Sequence, residues 1–231
     1  MASIIVHCPR CNSDHIYRHG KTPAGHVRYR CPVCPHVFQL TYTYEARKLG
    51  VKEQITEMTF NGACVRDTVR TLKIGINTVI RTFKKLAPKR ITSAKVVLDD
   101  VALICEFDEQ WAYVGNKQHQ HWLWYSFDTK RKRVVAYTFG PRNDETCRRL
   151  LNLLSPFQIG FITSDDWGSY AREVPREMHL TGKIFTQRIE RNNLTLRTRI
   201  KRLARKIICF SHSVGLHEKV IGTFIERHHF N

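Results

Sequence analysis

Two Cys-X-X-Cys pairs stand near the start of this 231-residue chain, Cys8-Pro9-Arg10-Cys11 and Cys31-Pro32-Val33-Cys34, with 19 residues between them. Each pair can form a tight knuckle that offers two thiolates to one ion. Four thiolates close a tetrahedral zinc site and leave no open position, so the expected role of the metal is structural. The residues between the pairs are basic and polar, with Arg18, Lys21, Arg28 and Arg30 among them and too few apolar groups for a core of their own. Metal binding is therefore expected to supply most of the folding energy of this segment.

Residues 1–44 thus resemble a zinc ribbon, and the paired thiols point to a reducing, intracellular compartment. His7, His15, His19, His26 and His36 are surplus to a four-thiolate site and are expected at the surface or facing a nucleic acid. Charge supports such a partner. The chain carries 38 Lys+Arg against 20 Asp+Glu, a formal net charge of +18, and a balance of that size favours polyanions because each phosphate neutralised releases condensed counterions. With no run of 18 apolar residues, a transmembrane span is not expected. The opening MASIIVHCPRC has neither the basic flank nor the apolar length of a secretory signal.

Between residues 45 and 90 the chain breaks at Asn61-Gly62 and at Gly75, and three pieces with helical apolar spacing lie around the breaks. They carry Val51, Ile55 and Met58, then Val65, Val69 and Leu72, then Val79, Ile80, Phe83 and Leu86. The short turn at Gly75 between the second and third pieces matches a helix-turn-helix. Asn77 or Thr78 is the expected cap of the third helix, and Thr78, Arg81, Lys84 and Lys85 are the candidates to face a major groove. Pro88 ends that helix, and PKRITSAK is expected to be a linker.

From residue 91 the pattern changes. Val96 to Asn116 is strand-like, HWLWYSFD and RVVAYTFG form a hairpin, DETCRRLLNLL an amphipathic helix, and IGFITSD a short strand. Helical segments are expected from there to the end. The sum is a mixed sheet covered by helices. Asp108 lies in the first strand on one face with Ile104, Glu106 and Gln110, whereas Glu109 points the other way. Asp165 and Asp166 end the last strand, and strand alternation lets only one of them join a common site.

The segment QRIERNNLTLRTRIKRLARKI is expected to form one helix whose buried stripe is Ile189, Leu196, Ile200, Leu203 and Ile207. Beside that stripe Glu190, Arg197, Lys201 and Arg205 form a row. An acid heading a basic row suggests that Glu190 meets Asp108 and an aspartate of the Asp165-Asp166 pair. Three converging carboxylates repel unless divalent cations sit between them. Two such ions can activate a nucleophile and stabilise the leaving oxygen of a phosphodiester. Magnesium, or manganese in its place, suits an all-oxygen set. Arg197, Lys201 and Arg205 would hold the DNA backbone beside it. Cys64, Cys105, Cys147 and Cys209 stand singly in apolar contexts and are expected to be core thiols.

In the order ribbon, helix-turn-helix, then DEQWAYVGNK, TSDDWGSY and IERNNLTLRTRIKRLARK, the whole chain down to FIERHHFN resembles bacterial insertion-sequence transposases of the insertion element one family. That resemblance implies a multidomain α+β protein: zinc ribbon (1–44), helix-turn-helix (45–90) and an RNase H-like mixed α/β catalytic domain (91–231). It also implies an Asp-Asp-Glu triad at Asp108, Asp165 and Glu190 binding catalytic Mg2+ or Mn2+, with Arg197 as the basic residue two turns after the glutamate. The family spacing of 24 residues between the last two acids is met from Asp165 and not from Asp166, which stands where relatives often have a small residue. The implied activity is DNA transposition. Element ends would be recognised at their terminal inverted repeats, cut to leave 3′-hydroxyls and joined to target DNA, by a homo-oligomer on double-stranded DNA at the bacterial nucleoid, with no membrane involved. Two other functions fit parts of the sequence: a DNA-binding repressor with an inactive catalytic domain, and a structure-specific nuclease.

Overall fold

The computed structural model describes residues 5–23, 25–40, 44–92, 102–204 and 211–230. The chain forms two compact units, Met1–Leu49 and Gly50–Asn231.

In the first unit, strands β1 (Tyr17–Lys21), β2 (Val27–Arg30) and β3 (Val37–Phe38) make an antiparallel sheet in that order. The first cysteine knuckle is closed by the Asn12 N–H on the Cys8 carbonyl (2.9 Å), with Asn12 in the left-handed region at φ 58°, where asparagine is tolerated. The second is closed by the Cys31 N–H on the His36 carbonyl (3.0 Å). Among the described residues between 5 and 40, only Cys8 and Cys31 are buried. These described residues form no apolar core, in line with the composition of the segment.

The second unit opens with helices α1 (Val51–Phe60), α2 (Val65–Leu72) and α3 (Ile76–Lys85). Val51, Ile55, Val79 and Phe83 are buried as their spacing predicts, whereas Ile80 joins Arg81, Lys84 and Lys85 on the exposed side of α3. Gly75, not Asn77 or Thr78, occupies the N-cap of α3, which puts both polar residues inside the first turn. Cys64 is no core thiol. It is exposed and caps α2, its sulfur accepting the Asp67 N–H (3.4 Å) while the Asp67 carboxylate accepts the Cys64 N–H. Cys105 and Cys147 are buried as expected; Cys209 lies outside the described residues.

Next come β4 (Leu103–Val114), β5 (Asn116–Asp128), β6 (Arg133–Gly140), α4 (Asp144–Leu154), β7 (Ile159–Ser164), α5 (Gly168–Glu173), β8 (His179–Thr181), α6 (Gln187–Arg199) and α7 (Val214–His228). The sheet order is β6-β5-β4-β7-β8, antiparallel between β6, β5 and β4 and parallel from β4 through β7 to β8. The expected mixed sheet is present, with one addition. β8 has three residues, too few for a periodic signal in a stretch expected to be helical.

Period-two alternation sorts the side chains onto two cores. Leu103, Cys105, Phe107 and Trp124 pack under α4 and α5 with Cys147, Leu150 and Tyr170. Ala112, Leu123, Tyr125 and Phe127 pack under α6 and α7 with Ile189, Leu196, Val220 and Phe224. The second core also contains Phe60 of α1, whose ring meets Phe224 edge-on at 5.1 Å. The helix-turn-helix is therefore seated on α7, and Lys219 Nζ donates to the Lys84 carbonyl at 2.7 Å. Close approach explains Gly222 of α7, where a Cβ would stand 2.2 Å from the Tyr137 hydroxyl.

Two further sequence expectations change. The described part of PKRITSAK is not a free linker. Ile91 bridges Ala136, and Thr92 N–H and Tyr137 N–H bond across at 2.9 Å each, so this segment lines the edge of β6. Residues 93–95 lie outside the described residues. The long helix starting at Gln187 ends at Arg199, where Ile200 turns extended (φ −107°, ψ 94°) and a short 3-10 turn, Lys201–Leu203, follows. Ile189, Leu196, Ile200 and Leu203 are still buried together. The chain is needed elsewhere, since the Ser211 carbonyl accepts the Gly115 N–H (2.7 Å) at the β4-β5 turn, and tertiary pairing overrides helical propensity.

Candidate active site and nucleic-acid interface

Asp108 sits in the middle of β4 opposite Tyr125 of β5, facing α6. Its Oδ2 accepts the side-chain N–H of Asn193, and its Oδ1 accepts the backbone N–H of Glu109 at 2.7 Å. The Tyr125 hydroxyl donates to Asn193 Oδ1 at 2.8 Å and accepts from Asn192 Nδ2 at 3.3 Å, so α6 is pinned over the aspartate. Burial, then the neighbouring charge of Glu109, and further down the charge of Asp165, lift the Asp108 carboxyl to about 7 against its two hydrogen bonds. Glu106, also on this face, accepts the Ile189 N–H, and burial raises its pKa as well.

Asp165 follows β7 directly and is half-buried; its Oδ1 accepts the Trp167 N–H at 3.2 Å. Asp166 is exposed. Within this pair it is Asp165 whose charge reaches both Asp108 and Glu109.

Glu190 lies in the first turn of α6, where the helix dipole favours a carboxylate. It is exposed, and its Oε1 is 3.3 Å from the Thr186 hydroxyl. Arg197 is half-buried, and its charge acts on Tyr125. Lys201 leaves the expected row because α6 has already ended. Its Cβ would lie 3.0 Å from a Cβ at Gly62, against the turn between α1 and α2. Arg205 lies outside the described residues.

The thiols of Cys8, Cys11, Cys31 and Cys34 all lie within 4.8 Å of one another, the only such cluster of metal-ligating groups among the described residues. Sulfur separations of 3.5 Å (Cys8 to Cys34) and 3.6 Å (Cys11 to Cys31) approach the roughly 3.8 Å edge of a tetrahedron with zinc-sulfur bonds of about 2.3 Å. The donor set and its size fit zinc. Arg81, Lys84 and Lys85 are exposed on α3, and Thr78 is half-buried at its start.

Sequence reasoning did not find Asn193, Tyr125 or the partners of Glu109. Glu109 is buried on the far face of β4, held by Arg142 and Tyr170. The available signals were the position of Asn193, three residues after Glu190 and so one turn along the helix, and the acid adjacent to Asp108.

Residues 102–231 match the family described as IS1 transposase, residues 42–86 the InsA C-terminal domain and residues 1–35 the InsA N-terminal domain. The Insertion element iso-IS1n protein InsB of Shigella dysenteriae is 76% identical over 130 residues, which cover 56% of this chain and 99% of that one. The Insertion element IS1 9 protein InsB of Escherichia coli (strain K12) is 46% identical over 149 residues, 64% of this chain and 89% of that one. The matched segments follow one another as ribbon, helix-turn-helix and catalytic domain, in the order in which the structure shows the thiol cluster, the three helices and the five-stranded sheet. A family match over more than half its length, with relatives this similar, means that the chain belongs to the IS1 transposase family.

Proposed function

We propose that this transposase cuts and joins DNA at a centre formed by Asp108, Asp165 and Glu190, and that its three segments (1–44, 45–90 and 91–231) divide end recognition from chemistry. The observation that carries this reading is the pairing of Asp108 at mid-strand with Asp165 just past the neighbouring strand, close enough for one charge to act on the other, beneath a helix bearing Glu190. A polar, anionic, all-oxygen donor set with one carboxyl lifted to about 7 by burial and then by neighbouring charge suits hard divalent cations such as Mg2+ or Mn2+. Bound there, such ions would supply an activated water or 3′-hydroxyl and stabilise the leaving oxygen.

The chain's own residues orient this chemistry. Asn193 and the Glu109 N–H fix both oxygens of Asp108. Glu190 is one turn before Asn193, so side-chain rotation without helix movement brings it toward Asp108. Arg197 supplies positive charge for the DNA backbone beside the acids. Thr78, Arg81, Lys84 and Lys85 on α3 contact the terminal inverted repeats, and Lys201, next to the α1-α2 turn, extends that basic surface. Two ends must be held together, so the working form is a homo-oligomer on DNA at the nucleoid. Among the described residues no helix is long and apolar enough to cross a membrane.

The test is a joining assay with purified protein, pre-cleaved element ends, a target plasmid and Mg2+ or Mn2+. Wild type and Asp166→Asn should give joined product that requires the metal, while Asp108→Asn, Asp165→Asn and Glu190→Gln give none. End binding without chemistry in the wild type would favour a repressor. Cutting without joining would favour a nuclease.

A further inference from the structure

The ladder between β4 and β7 stops at the pair Glu106 and Thr163, before either aspartate. Past that point no strand pairing fixes the separation of Asp108 and Asp165. Glu109 and its partners span the gap from the far face of the sheet. Its carboxylate is almost wholly buried, with 2% of the side chain exposed, and both oxygens are occupied. Oε1 accepts Arg142 Nε and Nη2, each at 2.6 Å, and Oε2 accepts the Tyr170 hydroxyl at 2.6 Å. The Arg142 guanidinium, so held, lies over two indoles, 4.5 Å from the ring centre of Trp167 and 5.2 Å from that of Trp122. The Trp167 backbone N–H is the group that bonds Asp165 Oδ1. At the other end, the Glu109 backbone N–H bonds Asp108 Oδ1.

We propose that Glu109, through Arg142 and Trp167, is a positioning residue that sets the distance and orientation of Asp165 relative to Asp108. This rests on the reading of those two aspartates as the reactive centre. A buried carboxylate paired with a part-exposed guanidinium contributes little to stability compared with apolar side chains of the same volume. Their directional bonds do fix geometry, and catalytic groups need to be held within about 0.5 Å of the productive arrangement.

Three variants test it in the full-length protein: Arg142→Lys, which keeps the charge but loses the fork and the stacking plane; Glu109→Gln; and Glu109→Gln with Arg142→Met, which removes both charges together so that neither partner is left unmatched. Each is assayed for joining rate, for binding of end DNA, for melting temperature and, without DNA, for Mn2+ affinity by electron paramagnetic resonance. A positioning role gives a fall in joining rate of about 10²-fold and in Mn2+ affinity of about 10-fold, with end binding within about twofold of wild type. The double variant should be no slower than the worse single one, since all three break one relay. A double variant that melts like wild type and joins and binds Mn2+ within about threefold of it overturns the proposal. Asp108→Asn and Asp165→Asn run beside these variants, and full joining by them would sink the reading of the centre itself and not merely the relay.

Discussion

The side-chain amide of Asn193 on α6 donates to the Asp108 carboxylate on β4, across 85 residues of sequence. The same amide accepts from the Tyr125 hydroxyl, so one side chain ties the helix that carries Glu190 to the strand that carries Asp108. Asn193→Ala leaves a part-buried carboxylate oxygen without its partner and takes from that hydroxyl one of its bonds, the Ile189 carbonyl and Asn192 remaining. Stability should fall by about 1–3 kcal/mol and joining by about 10–100-fold, measured by urea unfolding and by the joining assay. A variant that keeps full activity would show that α6 is located by its apolar stripe alone.

Asp108→Asn should separate stability from activity. The folded-state pKa of Asp108, about 7, lies above the ordinary carboxylate value of 3.8, so its ionised form opposes folding. That cost grows as pH rises from 3.8 through 7 and is complete above it. At pH 8, with metal removed by chelation, the asparagine variant should melt higher than wild type, by about 2–4 °C for each kcal/mol recovered. At pH 4 the two should melt together. A lower melting temperature at pH 8 would mean that the Asn193 bond outweighs the burial of charge.

Loss of zinc should unfold the first unit alone, because Cys8 and Cys31 are its only buried described side chains between residues 5 and 40. The purified protein should carry one zinc per chain, and Cys31→Ser should release it, exposing residues 5–40 to limited proteolysis while the β-sheet unit keeps its melting transition. Zinc retained at full stoichiometry in Cys31→Ser would point to one of the nearby histidines as a replacement ligand.

His217 on α7 is buried, with its Nδ1 3.1 Å from the Ser211 hydroxyl. Burial, then the charges of His121 and Arg202, lower its pKa to about 3 from the ordinary 6.5; Glu218, bonded to His121 and Arg90, is the acid on this face. A histidine held neutral contributes its full share of stability above pH 6.5 and loses it as pH falls from 6.5 towards 3, because the unfolded chain takes up the proton first. Over that window the loss should be on the order of 5 kcal/mol. His217→Gln should unfold with a shallower pH dependence below 6.5, and equal slopes would show that the imidazole is protonated in the folded state.

Phe60→Ala should loosen the helix-turn-helix from the catalytic sheet. Phe60 is 2% exposed and packs edge-on to Phe224 in the core beneath α6 and α7. A loss of about 3–5 kcal/mol is expected, with faster amide exchange in α1 and α7 together. Exchange confined to α1 would mean that the two parts fold independently.

What the sequence by itself determined is whatever depends on neighbours a few residues apart. The Cys-X-X-Cys knuckles, the helix-turn-helix breaks, the alternation that puts Asp108 and Glu109 on opposite faces, and the rule that only one aspartate of the Asp165-Asp166 pair can turn inward all follow from local spacing and from periods of 2 and 3.6. Tertiary structure decided what depends on partners far along the chain. α6 stops at Arg199 although its sequence would continue the helix, because residues beyond it pair at the β4-β5 turn. Arg90 to Thr92 become a sheet edge because β6 offers unpaired backbone groups. Asn193 finds Asp108, and Arg142 finds Glu109 33 residues away, only once the sheet has formed. Hydrogen bonds and ion pairs of that kind leave no periodic trace, since any polar residue at those positions would satisfy the same pattern of apolar and polar side chains.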